Sequence, residues 1–166
     1  MKQAIACIDF DGVVIEKLYG REWVGCKKIR KVNWWWLVWT MINHTWRKPV
    51  EGVKEGLITL RNKGYKIVLL TSRRKEFEEI TRRWLKRNNL FELFDEFYFN
   101  NEDLGALDYK IKYFGLIRGD LHIDDNRETI KALGKTYGDK KFYLIGDKNH
   151  QMKNIKEVTG WAKIHN

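Results

Sequence analysis

The sequence has one proline and two cysteines in 166 residues, and no internal repeat, low-complexity tract or Pro/Gly/Ser-rich linker divides it. A single domain of ordinary size is therefore expected, large enough to bury a core without disulfides or structural metal. Cys7 sits in an apolar run and Cys26 in a basic stretch. Together they make neither a disulfide framework nor a zinc-ligand spacing, a usage that suits a reducing cytoplasm. Long hydrophobic runs are missing too. The N-terminal apolar run soon meets Asp9 and Asp11, so it reads as neither a secretory segment nor a membrane span. The four histidines, His44, His122, His150 and His165, lack ligand-like spacing and read as surface or packing residues.

Acidic charge is also short, but unevenly so. The formal net charge is +10. Between Lys17 and Lys48 lie eight basic residues against one acid, Glu22, together with six of the eight tryptophans. A basic, aromatic segment implies an anionic partner: a phosphorylated small molecule, a nucleic acid or lipid headgroups.

The remainder alternates between two patterns. Apolar runs at 3–8, 66–70, 96–99, 120–123 and 141–145 read as buried strands, the last of these closing the set. Between them, helical spacing predicts helices over about 49–63 (opened by Pro49, ended by Gly64), over the charged segment with Phe77, Ile80, Trp84 and Leu85 inward, and over 108–117 and 127–137. Such alternation implies an α/β fold with a doubly wound parallel sheet. About 35 residues separate the first strand from its helix, where a few are usual, so residues 14–48 read as an insert into a core of 1–13 and 49–166.

Three polar clusters directly follow predicted strands: Asp9/Asp11, Thr71/Ser72 and Asp124/Asp125. In an open parallel sheet the strand C-termini line one edge, so the clusters converge at the usual ligand crevice. Phosphoryl transfer needs oxygens positioned and neutralised, and magnesium prefers carboxylate and carbonyl ligands, which this set supplies. Each cluster also has a plainer reading: Asp9-Phe10-Asp11-Gly12 as a turn, and Thr71, Ser72 or Asp124-Asp125-Asn126 as helix N-caps.

Ile8-Asp9-Phe10-Asp11-Gly12-Val13, Leu70-Thr71-Ser72-Arg73, a lysine at 110 or 112, and Ile123-Asp124-Asp125 together resemble the four signatures of the haloacid dehalogenase superfamily. Within it the set is similar to small nucleotidases and phage-type phosphatases. The resemblance covers about residues 4–146 without the insert. It implies a Rossmann-like core and a phosphatase in which Asp9 attacks phosphorus to form an aspartyl-phosphate. It further implies that Asp11 acts as acid and then base. Magnesium would be held by Asp9, the Asp11 carbonyl and Asp124 with Asp125 in support, while Thr71 would bond the phosphoryl oxygens and Gly12, Ser72 and Arg73 would contact substrate.

Lys110 is preferred over Lys112 as the phosphate-neutralising lysine. On a helix it shares a face with Phe114 and Ile117, whereas Lys112 is turned about 200° away at ~100° per residue. The insert reads as a Trp-rich cap. A helix over 31–46 would align Trp35, Trp39, Ile42 and Trp46, with Trp34, Trp36, Leu37 and Val38 around the rest. This is more apolar surface than one lid face needs, which leaves open a homodimer contact, a membrane interface without a span, or simply the insert's own core. Aromatic and basic groups beside such a site favour a nucleotide as substrate, with a polynucleotide end or a non-catalytic nucleic-acid or membrane module as alternatives.

Overall fold

The structure is a computed structural model and describes residues 3–17, 46–102, 104–146, 155–158, 160, 161 and 164. The strands are β1 (Ile5–Ile8), β2 (Lys66–Arg74), β3 (Glu96–Asn100), β4 (Leu121–Asp124), β5 (Lys141–Ile145) and β6 (Ile155–Val158). The helices among the described residues are α1 (Val53–Asn62), α2 (Glu78–Arg87), α3 (Ala106–Ile117) and α4 (Arg127–Thr136). All six strands pair in parallel, in the order β3-β2-β1-β4-β5-β6.

Burial on both faces explains why the strands read as unbroken apolar runs. Side chains alternate across the sheet. Ala6, Ile8, Ile67, Leu69 and Ile123 pack with Val53, Leu57 and Leu60 of α1 and with Trp84 and Leu85 of α2. Cys7, Val68 and Leu70 face the other way, against Tyr109 and Phe114 of α3 and Ile130 and Leu133 of α4. The chain runs outward from β1 through β2 to β3, then returns to place β4 on the opposite side of β1. This reversal makes the C-terminal ends of β1 and β4 the topological switch point, the natural crevice of such sheets.

Several boundaries differ from expectation. The first helix begins at Val53 behind Gly52, which is left-handed (φ 75°). Pro49 lies outside it and forms an antiparallel bridge with Ile15. Around that bridge Glu16 N–H donates to the Lys48 carbonyl at 3.0 Å and Val50 N–H to the Val14 carbonyl at 2.9 Å, clasping the two ends of the intervening segment. Val14 and Ile15 are themselves fully buried in the core. β2 continues past Leu70 to Arg74, so Thr71 and Ser72 sit in a strand and not at a helix cap; the helical turn after it starts at Lys75. β6 is a sixth strand beyond the expected last one.

The expected helix over 31–46 falls outside the described residues except for Trp46, which is helical and 82% exposed. Trp34, Trp35, Trp36, Leu37, Val38, Trp39 and Ile42 also lie outside them, as do Cys26, His44, His150 and His165. Among the described residues no helix is long and apolar enough to cross a membrane.

Candidate active site

The ends of β1 and β4 present the acidic residues. Asp9 follows β1 and extends its ladder, its N–H donating to the Ile123 carbonyl at 2.9 Å. Asp124 ends β4 with a side chain sealed from solvent, and Asp9 is 5% exposed. Between them, Lys110 reaches up from α3, its Nζ 2.7 Å from Asp124 Oδ2 and 3.0 Å from Asp9 Oδ1. Lys112 is exposed and pairs with Glu102 at 2.5 Å. The helical phase that put Lys110 on the packed face is thus the observed one.

Asp125 lies beside this pair and is bridged by Lys17 at 2.5 Å. One carboxylate oxygen from each of Asp9, Asp124 and Asp125 falls within 4.8 Å of the others, an all-oxygen set that could hold a hard divalent cation. Gly12 makes this arrangement possible. It is left-handed (φ 78°), and a Cβ there would lie 2.0 Å from Asp125 Oδ2. Its N–H is committed to the Ile15 carbonyl at 2.8 Å, so its part in the site is to leave space.

The Asp11 carboxylate points away from the acidic trio and into two guanidinium groups. Arg73 grips it bidentately, Nε to Oδ2 at 2.6 Å and Nη2 to Oδ1 at 2.7 Å. Arg47 adds a third contact, Nη1 to Oδ1 at 3.0 Å. Arg73 is buried with its guanidinium 4.5 Å above the Phe10 ring; Phe10 in turn meets Trp84 edge-on at 5.4 Å. Trp84 Nε1 donates to the Arg47 carbonyl at 3.1 Å, which closes a loop of contacts around Asp11. Arg73, expected at the substrate, is here the clamp on Asp11. Thr71 is buried and its Oγ1 accepts from Arg73 N–H at 3.3 Å, while Ser72 is half-buried.

Two residues that sequence reasoning missed support these groups. His122 is buried under the site, Nδ1 3.0 Å from the Cys7 carbonyl and Nε2 3.0 Å from Asp124 Oδ2. Its strand phase relative to Asp124 was the available signal. Trp161 is fully buried and donates from Nε1 to the Val13 carbonyl at 2.8 Å, pinning the loop that follows Asp9. No local pattern around Trp161 marks that role.

The electrostatics follow from burial and pairing. Burial pushes the Asp9 carboxyl above its ordinary pKa; Lys110 opposes this, but Asp124, Asp125 and Asp11 add to it. Burial would raise Asp11 and Asp124 as well, yet Arg73 and Arg47 hold Asp11, and Lys110 with His122 hold Asp124, below the usual carboxylate range. Asp125 is raised by burial, Lys17 only partly countering it. Burial works against the Lys110 cation, but Asp124 and Asp9 overcome it and raise its pKa.

The family model described as HAD superfamily, subfamily IIIB (Acid phosphatase), matches residues 2–156. The chain therefore belongs to the haloacid dehalogenase superfamily, in its subfamily IIIB of acid phosphatases, and is a phosphoric monoester hydrolase. No curated protein matches it in sequence. Among solved structures it is similar to the D,D-heptose 1,7-bisphosphate phosphatase from B. bronchiseptica complexed with magnesium and phosphate (TM-score 0.64, 10% identity, 98% of this chain and 96% of that one). It is also similar to a HAD-superfamily hydrolase from Ehrlichia chaffeensis (TM-score 0.59, 13% identity, 99% and 96%). At these identities the likeness is one of fold.

Proposed function

We propose that the protein is a magnesium-dependent phosphomonoesterase that works through an aspartyl-phosphate at Asp9, with a nucleotide or another small phosphorylated metabolite as substrate. The observation that carries this reading is the convergence of Asp9, Lys110, Asp124 and Asp125 at the switch point, with Asp11 two residues from Asp9 on a separate pair of cations.

Asp9, Asp124 and Asp125, with the Asp11 carbonyl, are the groups that would hold magnesium. When bound, the ion supplies charge neutralisation to the phosphoryl oxygens and to the crowded carboxylates. An Asp9 carboxylate oxygen attacks phosphorus as the ester P–O bond breaks, and the leaving oxygen takes a proton from Asp11. Water then attacks the phosphorus, its proton passes to Asp11, and phosphate leaves as Asp9 is restored. Lys110 holds Asp9 in place and neutralises phosphoryl charge, and Thr71 bonds a phosphoryl oxygen. Arg73 orients Asp11 through both of that carboxylate's oxygens.

The segment between the clasped ends is read as a cap that selects substrates, its tryptophans stacking a base and its lysines and arginines holding charge. A polynucleotide end is the second reading, favoured by the eight basic residues between Lys17 and Lys48. A screen of simple phosphate esters, nucleotides and 3′- and 5′-phosphorylated oligonucleotides with magnesium, run beside Asp9→Asn, decides between them. Hydrolysis lost in Asp9→Asn and strongest on nucleotides supports the first. Preference for oligonucleotides, with affinity falling steeply as salt rises, selects the second. Turnover in Asp9→Asn equal to wild type sinks the mechanism.

A further inference from the structure

His122 is a fully buried polar residue two positions before Asp124 on β4. The alternation of a strand puts both side chains on the α3/α4 face, so the imidazole stands beside the carboxylate, at the tip where the chemistry is. Cys7, its register partner on β1, offers a carbonyl to Nδ1 at 3.0 Å, while Nε2 faces Asp124 Oδ2 at 3.0 Å. Phe114 closes off the ring edge-on at 5.9 Å. A buried imidazole between a carbonyl and a carboxylate has a cost that packing alone would avoid: an apolar side chain of similar size would fill the same space without desolvating polar groups.

What the imidazole contributes is the setting of Asp124. Oδ2 receives His122 and Lys110 Nζ at 2.7 Å, and Oδ1 receives the Asn126 N–H at 2.9 Å. A carboxylate has about four acceptor sites, so three donors fix its rotation and leave one direction, on Oδ1, for a cation. The Cys7 carbonyl ties that orientation to the β1 backbone two residues before Asp9.

We propose that His122 is the positioning residue of the cation site: it holds the Asp124 carboxylate in the orientation a divalent ion needs and registers it against the strand that carries Asp9. This rests on the magnesium reading of Asp9, Asp124 and Asp125 given above. Partners of metal ligands of this kind change metal affinity by about 10–100-fold when removed.

The test is calorimetric titration of Mg2+ into the full chain, for wild type, Asp124→Asn, His122→Phe and His122→Gln, with the thermal midpoint of each recorded in EDTA. The expected result is saturable binding by wild type, its near loss in Asp124→Asn, and binding weakened by about tenfold or more in folded His122→Phe. His122→Gln, which can donate to Asp124 again, should recover part of that loss. In turnover, His122→Phe should need more Mg2+ for half-maximal rate while its substrate KM at saturating Mg2+ stays within about twofold of wild type. Should Phe not be accommodated, His122→Val, smaller and suited to a strand, carries the same comparison. Wild-type Mg2+ affinity in a folded His122→Phe or His122→Val, even with a lowered thermal midpoint, overturns the proposal and makes His122 a packing residue. Absence of Mg2+ binding by wild type overturns the magnesium reading itself, and with it this proposal, a result distinct from the one before.

Discussion

Arg47 and Asp11 are 36 residues apart in sequence, yet Arg47 Nη1 stands 3.0 Å from Asp11 Oδ1. Arg47 also donates from Nε to the Glu16 carbonyl at 2.7 Å and accepts from Trp84 at its own carbonyl. One side chain therefore joins both ends of the segment 17–46 to the carboxylate assigned to proton transfer. Arg47→Gln is expected to lower kcat by about ten- to a hundredfold through a misplaced Asp11, with little loss of stability. Arg73→Gln should cost both, because it breaks the bidentate, buried member of the pair, and loss of one partner of a buried pair costs about 3 kcal/mol. Steady-state kinetics with urea unfolding of each variant checks the contrast; equal stability losses would sink it.

Asp9 is a carboxyl whose pKa folding raises, so its charge weakens the metal-free fold at every pH above the ordinary carboxylate value. The stability penalty grows as pH rises from that value toward the folded pKa. Asp9→Asn removes it. In EDTA at neutral pH the inactive variant should melt above wild type, and the gap should close as pH is lowered below about 4. Added Mg2+ should raise the wild-type midpoint and leave Asp9→Asn nearly unmoved, since only ligand binding to the native state stabilises. A scan of midpoint against pH and Mg2+ tests both halves.

Lys110→Met should reduce turnover by about 10²–10³-fold, the scale for losing one preorganised charge from such a site. Lys112, paired only with Glu102 on the surface, should tolerate methionine within about twofold in rate. The reverse result would move the phosphate-neutralising role to Lys112.

Gly56 tests the packing beneath the site. Alanine is the better helix former by about 1 kcal/mol, but a Cβ at this position of α1 would lie 2.2 Å from Trp161 Cε3, an aromatic ring that cannot retreat because it is fully buried. Overpacking costs about 1–3 kcal/mol, so the net sign should be destabilising. Urea unfolding of Gly56→Ala giving a midpoint above wild type would reverse this.

Cys7 is fully buried between β2 and β4, and burial pushes its thiol pKa far up. The native protein should therefore label at Cys7 only as fast as it opens globally. Site-resolved mass spectrometry of alkylation, in buffer and in urea, reads this directly. Rapid labelling of Cys7 in folded protein would contradict the central place of β1.

Much of this arrangement was legible because each catalytic group sits where an apolar run stops. Asp9, Thr71 and Asp124 each follow buried β residues, and the helical phase of Phe114 and Ile117 singled out Lys110. The α/β order is carried by the same runs, and the family match confirms the superfamily read from them. Where contacts cross the fold, the local pattern is silent. His122 gains its meaning from a carbonyl 115 residues away, Trp161 from one 148 residues away, and Arg47 from a loop on the far side of an insert. Pro49 signalled a helix start, but the pull of pairing with Ile15 outweighed it and the helix begins after Gly52. β6 has no long apolar run to announce it; its place is set by the β5 edge it completes.

The position of β1 in the sheet has a consequence for how the protein is made. Its neighbours arrive late: Ile5 aligns with Lys66 on one side, and Ala6 with Leu121 on the other. During synthesis Asp9 is among the first residues to emerge, yet Lys110, His122 and Asp124 follow only after some hundred more, at ribosomal rates of about 5–20 residues per second. The nascent chain thus carries its nucleophile, unassembled, for several seconds, with the two flanks of an apolar strand unpaired. Parallel pairing over such separations is slow, so mutations that delay β4 should show first as lost yield of folded protein, before any effect on the chemistry of the molecules that do fold.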